Sequence, residues 1–87
     1  MNIVYEAERT DGTRQLLPSS LIRDYIREAR DVSGRSKDKA FFNFGRMLAN
    51  LMMVRGYVSI VCIEYNCDGQ RRTQLMRRRD YGRNDKA

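Results

Sequence analysis

The 87-residue chain contains no histidine, and that absence alone removes a large part of enzyme chemistry. The one side chain whose ordinary pKa lies near neutrality is missing, and with it the commonest metal ligand. No glycine-rich phosphate loop occurs either. The two Asp-Gly pairs, in "DGTRQ" and "DGQRR", have the composition of turns. Only two cysteines are present, Cys62 and Cys67. If residues 57–65 form a strand, these two fall on opposite faces, and a disulfide between them would distort the backbone. Both are read as reduced thiols, which favours the cytoplasm. Uncharged runs such as Met47 to Val54 reach only eight residues, whereas a membrane-spanning helix needs roughly 20. The opening "MNIVYEAER" carries a charge at its sixth residue and does not read as a signal peptide.

What remains of catalytic chemistry is thin. Glu6 and Glu8 lie two apart and would share a strand face, but solvated glutamates are far commoner than a working carboxylate pair. Cys67 sits at a turn beside arginines that would lower its pKa, yet no base stands near it in sequence. The expectation is a protein that is not an enzyme and needs no metal or cofactor.

Charge is what the chain has in excess, and it is unevenly placed. The formal net charge is +6, and 14 of the 17 basic residues are arginine. Residues 1–44 hold eight basic and seven acidic groups, a near balance; Gly69 to Ala87 holds seven basic and two acidic, a net of +5 in 19 residues. The planar guanidinium fork binds phosphate or carboxylate in two places at once, so this local excess points to an acidic partner.

Hydrophobic periodicity gives an α+β domain. Residues 2–9 alternate, with Ile3, Tyr5 and Ala7 on one side. Asp11-Gly12 supplies a hairpin tip, and 13–17 returns as a second strand that Pro18 ends, since proline has no amide proton to donate. A two-residue loop sets Arg9 opposite Arg14 and Ala7 opposite Leu16. Ser19 or Ser20 can cap a first helix, whose Leu21, Ile22, Tyr25, Ile26 and Ala29 recur at helical spacing. "DVSGRS" interrupts it at Gly34. Ser36 can cap a second helix with Ala40, Phe41, Phe44, Leu48, Leu51 and Met52 as its buried stripe, and Gly56 as its left-handed stop. Gly45 inside that helix suggests a close helix contact. "YVSIVCIEY" is rich in β-branched and aromatic residues and reads as a strand. Asp68-Gly69 then turns it into a last strand, 70–79. The order is β-β-α-α-β-β, an antiparallel sheet of two hairpins packed on a helical pair, in one domain over 1–81 with a flexible tail over 82–87.

With Asp68-Gly69 as a two-residue loop, Tyr65 faces Arg72, Ile63 faces Gln74, Val61 faces Met76 and Ser59 faces Arg78. One face of this hairpin, with Val58, Ile60, Cys62 and Leu75, is the core candidate. The other would stay open, showing Tyr57, Tyr65, Arg72, Gln74 and Arg78 around Val61, Ile63 and Met76. Tyrosines beside arginines on an open sheet suit nucleic acid, with bases stacked on rings and guanidiniums on phosphates. The leading expectation is therefore a small DNA- or RNA-binding protein that uses Arg71, Arg72, Arg77, Arg78 and Arg79, with Tyr57, Tyr65 and Gln74 beside them. The alternative is a protein-binding regulator or inhibitor, of the accessory kind carried by phages and mobile elements, docking the same hairpin on an acidic protein surface. Arg35, Lys37 and Lys39, around the start of the second helix, make a secondary anion site. Val61, Ile63 and Met76, if exposed together, would drive a homodimer.

Overall fold

The helices show most directly how local chemistry sets element ends. In the computed structural model, which describes residues 2–78, α1 spans Ser19–Ser33 and α2 spans Lys37–Arg55. Pro18 occupies the N-cap position of α1 with φ −59°, and no side chain caps it. Ser19 and Ser20, expected as caps, instead lie inside the first turn, where proline's fixed φ has already set the entry. Ser36 does cap α2: its Oγ accepts from the Lys39 amide at 3.2 Å, and Asp38 places a negative charge in the first turn. Gly56 ends α2 in the left-handed conformation, φ 70° and ψ 29°, and its amide donates to the Met52 carbonyl. The two helices are tied by Asn43, whose Nδ2 donates to the buried Ser33 Oγ at 2.9 Å.

Four strands, β1 (Asn2–Arg9), β2 (Arg14–Leu17), β3 (Tyr57–Asn66) and β4 (Gly69–Arg77), complete the order β-β-α-α-β-β. Both hairpins belong to one antiparallel sheet, β2-β1-β3-β4, with the long strands β1 and β3 paired at its centre. α1 packs over β1, and α2 packs over β3 and β4. The α+β reading holds. Among the described residues no helix is long and apolar enough to cross a membrane. Arg79 and the proposed tail over 82–87 lie outside the described residues.

The core forms where one face of the sheet meets the helices. Ala7, Leu17, Tyr57 and Ile60 from the strands close on Ile22, Leu48, Leu51 and Met52 from the helices. Phe41, expected in this stripe, is 81% exposed. It stands one turn ahead of Phe44, the first α2 aromatic to pack on the core, so the stripe overruns the surface available to cover it. Gly45 meets no second helix. The nearest atom to a Cβ built there is the Met76 Cε of β4, at 3.7 Å, which is ordinary contact.

Register is where the structure departs from the sequence reading, and each departure has a local cause. The first hairpin closes around three residues, Thr10, Asp11 and Gly12: the Arg9 amide donates to the Thr13 carbonyl at 2.9 Å and the Gly12 amide to the Arg9 carbonyl at 3.0 Å. Gly12 takes φ 86°. Asp11 Oδ1 accepts from both the Thr13 amide and hydroxyl, at 3.0 and 2.7 Å, which favours the longer loop. One extra loop residue flips the face of every following side chain. Leu17 is therefore buried opposite Tyr5, and Leu16 is 64% exposed opposite Glu6. The slip also replaces the expected Arg9–Arg14 facing pair by Glu8 opposite Arg14, an opposite-charge pair.

In the second hairpin the two loop residues are Cys67 and Asp68, not Asp68 and Gly69, so Tyr65 faces Gln70 and Ile63 faces Arg72. The Asn66 side chain accepts from the Asp68 amide at 2.9 Å and fixes this earlier turn. A shift of two leaves the faces unchanged, but two bulges then alter them. Val58 is the extra residue where β3 leaves register with β1, and Leu75 the extra residue where β4 leaves register with β3. Each bulge rotates what lies beyond it to the other face.

Candidate nucleic-acid interface

The bulges decide which predicted residues reach the open face. Tyr57 does not. Val58 turns it to the same side as Ile60, where it is 1% exposed, with the Arg9 guanidinium carbon 5.4 Å from its ring centroid. Its hydroxyl donates to Gln15 Oε1 at 3.4 Å, so ring and hydroxyl are both engaged within the fold. Met76 is corrected in the same way: Leu75 sends it to the helix side, opposite Ile60 and against Gly45. Arg77 moves in the opposite sense, from the expected core face to a position opposite Ser59.

What the open face does carry is Glu6 and Glu8 from β1, Arg14 and Leu16 from β2, Val61, Ile63 and Tyr65 from β3, and Gln70, Arg72 and Gln74 from β4. Among the described residues no element packs over it. Ile63 is nonetheless only 2% exposed, although it belongs to the face away from the helices. Among the described residues, side chains of neighbouring strands reach across it. Arg72 on β4 donates to Glu6 Oε1 on β1 at 2.8 Å, and β3 runs between those two strands, so the pair crosses above Val61 and Ile63. Arg14 approaches the same carboxylate at 4.0 Å from the other side. Arg72 thus works first as a strap: it stands opposite Ile63 and its head is shared with Glu6 across the sheet. Of the three residues expected to drive dimerisation, Met76 lies on the other face and Ile63 is buried, which leaves Val61 half-buried on the open face.

Gln74 is also occupied within the chain. Its Nε2 lies 2.7 Å from Ser59 Oγ, 2.9 Å from the Met76 carbonyl and 3.3 Å from the Ile60 carbonyl, which pins the bulge at Leu75. Tyr65, 44% exposed, and Arg71 and Arg78 face solvent, and Arg77 is exposed as well. Arg71 lies opposite Glu64 on the helix side near the hairpin tip, and Arg77 closes β4 on the open side. Tyr65 borders a shallow depression shared with Asn2, Asn66 and Cys67. β4 is an edge strand, so arginines stand on both sides of a boundary that pairs with nothing further in the sheet.

The two thiols are free and differ in setting. Burial, and then the neighbouring Glu64 charge, push the Cys62 thiol up, away from thiolate character. Burial raises the Tyr5 hydroxyl beside it as well. Cys67 is exposed at the turn. Among the described residues no cluster of three or more His, Cys, Asp or Glu is placed to hold a metal ion.

The secondary basic cluster is brought together at the junction of the helices, where Arg35, Lys37 and Lys39 are all exposed. Arg35 and Lys37 line a groove there, together with Arg30 and Phe41, neither of which the sequence reading had placed at a site. No local pattern marks Phe41 out, because adjacent apolar residues of this helix can share the core, as Leu51 and Met52 do. Comparison with protein-family models, with curated proteins and with solved structures finds no match.

Proposed function

We propose that the chain is a small, non-catalytic nucleic-acid-binding protein that meets a phosphate backbone along the β4 edge. The observation that carries this reading is the placement of exposed Arg71 and Arg77 on the edge strand β4, with exposed Arg78 directly after it. At about 3.3 Å per residue, the run from Arg71 to Arg77 extends about 20 Å, long enough to follow several nucleotides. Tyr65, at the tip end of that edge, offers one ring on which a base can stack. Arg72 contributes by sharing itself between Glu6 and a phosphate, so its contribution is smaller than that of Arg71.

Fluorescence anisotropy with single-stranded and duplex oligonucleotides over a salt series tests the reading. With about four phosphates neutralised, log affinity falls against log salt with a slope near −3 to −4. Lack of binding to both probes at low salt would remove the proposal. So would recovery of the same protein partners from lysate before and after nuclease digestion, because the edge would then be serving an acidic protein surface.

A further inference from the structure

The groove at the helix junction has a composition unlike that of the sheet edge. It encloses about 470 Å³ between the end of α1 and the start of α2. Ile26, Ala29, Ala40, Phe41 and Phe44 form an apolar floor and wall. Arg30, Arg35 and Lys37 stand around it, all three exposed, and no acidic residue lines it. Phe41, at 81% exposure, is a large apolar side chain with most of its surface in water. Apolar side chains inside a ring of like charge recur where one protein receives an anchor residue from another.

We infer that this groove is a docking site for an acidic segment of a partner protein, which places one large apolar side chain on the Phe41–Phe44 floor and carboxylates against Arg30, Arg35 and Lys37. Charge complementarity selects the acidic flanks, and the apolar lining selects the anchor. A nucleobase is a poor occupant. Five of the groove's lining side chains, Ile26, Ala29, Ala40, Phe41 and Phe44, are apolar, which suits an apolar anchor better than the polar edges of a base. The inference does not rest on the nucleic-acid reading, because the groove and the β4 edge share no residue.

The chain contains no tryptophan, so a tryptophan in a probe peptide reports without background. The probe is a heptapeptide with a central tryptophan flanked on each side by three acidic residues, titrated into ¹⁵N-labelled full-length protein. Two control peptides replace the tryptophan by serine or the acidic residues by lysine. Blue-shifted emission is expected, with amide shifts confined to residues 26–44. Each control peptide, and each of the variants Phe41→Ser and Arg35→Glu, weakens binding by at least about 10-fold. Phe41 is mostly exposed, so its serine variant keeps the fold, which circular dichroism verifies; its oligonucleotide affinity also stays unchanged. Absence of binding up to about 1 mM peptide would overturn the inference. Equal binding of the serine peptide would do the same, by reducing the effect to bulk charge, as would shifts centred on β4.

Discussion

Ile60 and Ile63 stand three residues apart on β3, are exposed by 0% and 2%, and belong to opposite faces of the sheet. The first is buried by a helix layer, in contact with the main core. The second lies on the face away from the helices, where a salt bridge between β4 and β1 crosses the strand it sits on. The difference teaches that arginines of one hairpin differ residue by residue in what they touch. Arg72 is held by Glu6 across the sheet, whereas Arg71 and Arg78 are exposed at its margin.

Truncating the two isoleucines sharpens that comparison. Ile60→Ala should cost about 3–5 kcal/mol in chemical denaturation, since it opens a cavity among Leu48, Met52 and Tyr57 that rigid helices cannot collapse. Ile63→Ala should cost less, about 2 kcal/mol, because flexible side chains can settle into the space. Equal losses would mean that the outer face is as rigidly packed as the core. The first hairpin offers the same test in adjacent positions. Leu17→Ser should destabilise by about 2–4 kcal/mol, and Leu16→Ser should stay within about 0.5 kcal/mol. The reverse order would restore the two-residue loop. A smaller effect, of opposite sign, is expected at Gly45: alanine fits at 3.7 Å from Met76 and should stabilise α2 by about 0.5–1 kcal/mol.

The smallest effect concerns Asp11. Thr13, donating from both hydroxyl and amide, holds this carboxyl below its ordinary value. A depressed folded-state pKa contributes stability that is present above the unfolded value and lost as pH falls through the folded one. The difference in stability between the protein and its Asp11→Asn variant should therefore be constant near neutrality and shrink on acidification below the ordinary carboxylate range. A difference independent of pH would dissociate the turn from that charge.

The element order was legible because helix and strand periodicities each persist over many residues, and because Ser36, Gly56 and Pro18 punctuate them. Faces were less legible. An Asp-Gly pair fits a three-residue loop at Gly12 and a loop ending one residue before Gly69, and only side-chain bonds from Asp11 and Asn66 distinguish the cases. Alternation predicted Tyr57 and Met76 on the open side, but a bulge is a single unpaired residue with no compositional mark at Val58 or Leu75. The strap from Arg72 to Glu6 joins residues 66 positions apart through strand order alone, which no local pattern encodes.

The central claim, that position along β4 and not total charge binds nucleic acid, is tested most directly by two charge-matched variants. One carries Arg71, Arg77 and Arg78 as glutamate; the other carries Arg27, Arg46 and Arg55, exposed on the helices, as glutamate. Both change the formal charge equally. Oligonucleotide affinity measured by anisotropy at fixed low salt should fall by at least about 100-fold in the first variant, as expected for three lost phosphate contacts. In the second it should fall by less than about 5-fold, through long-range attraction alone. Equal losses in the two variants would contradict the account.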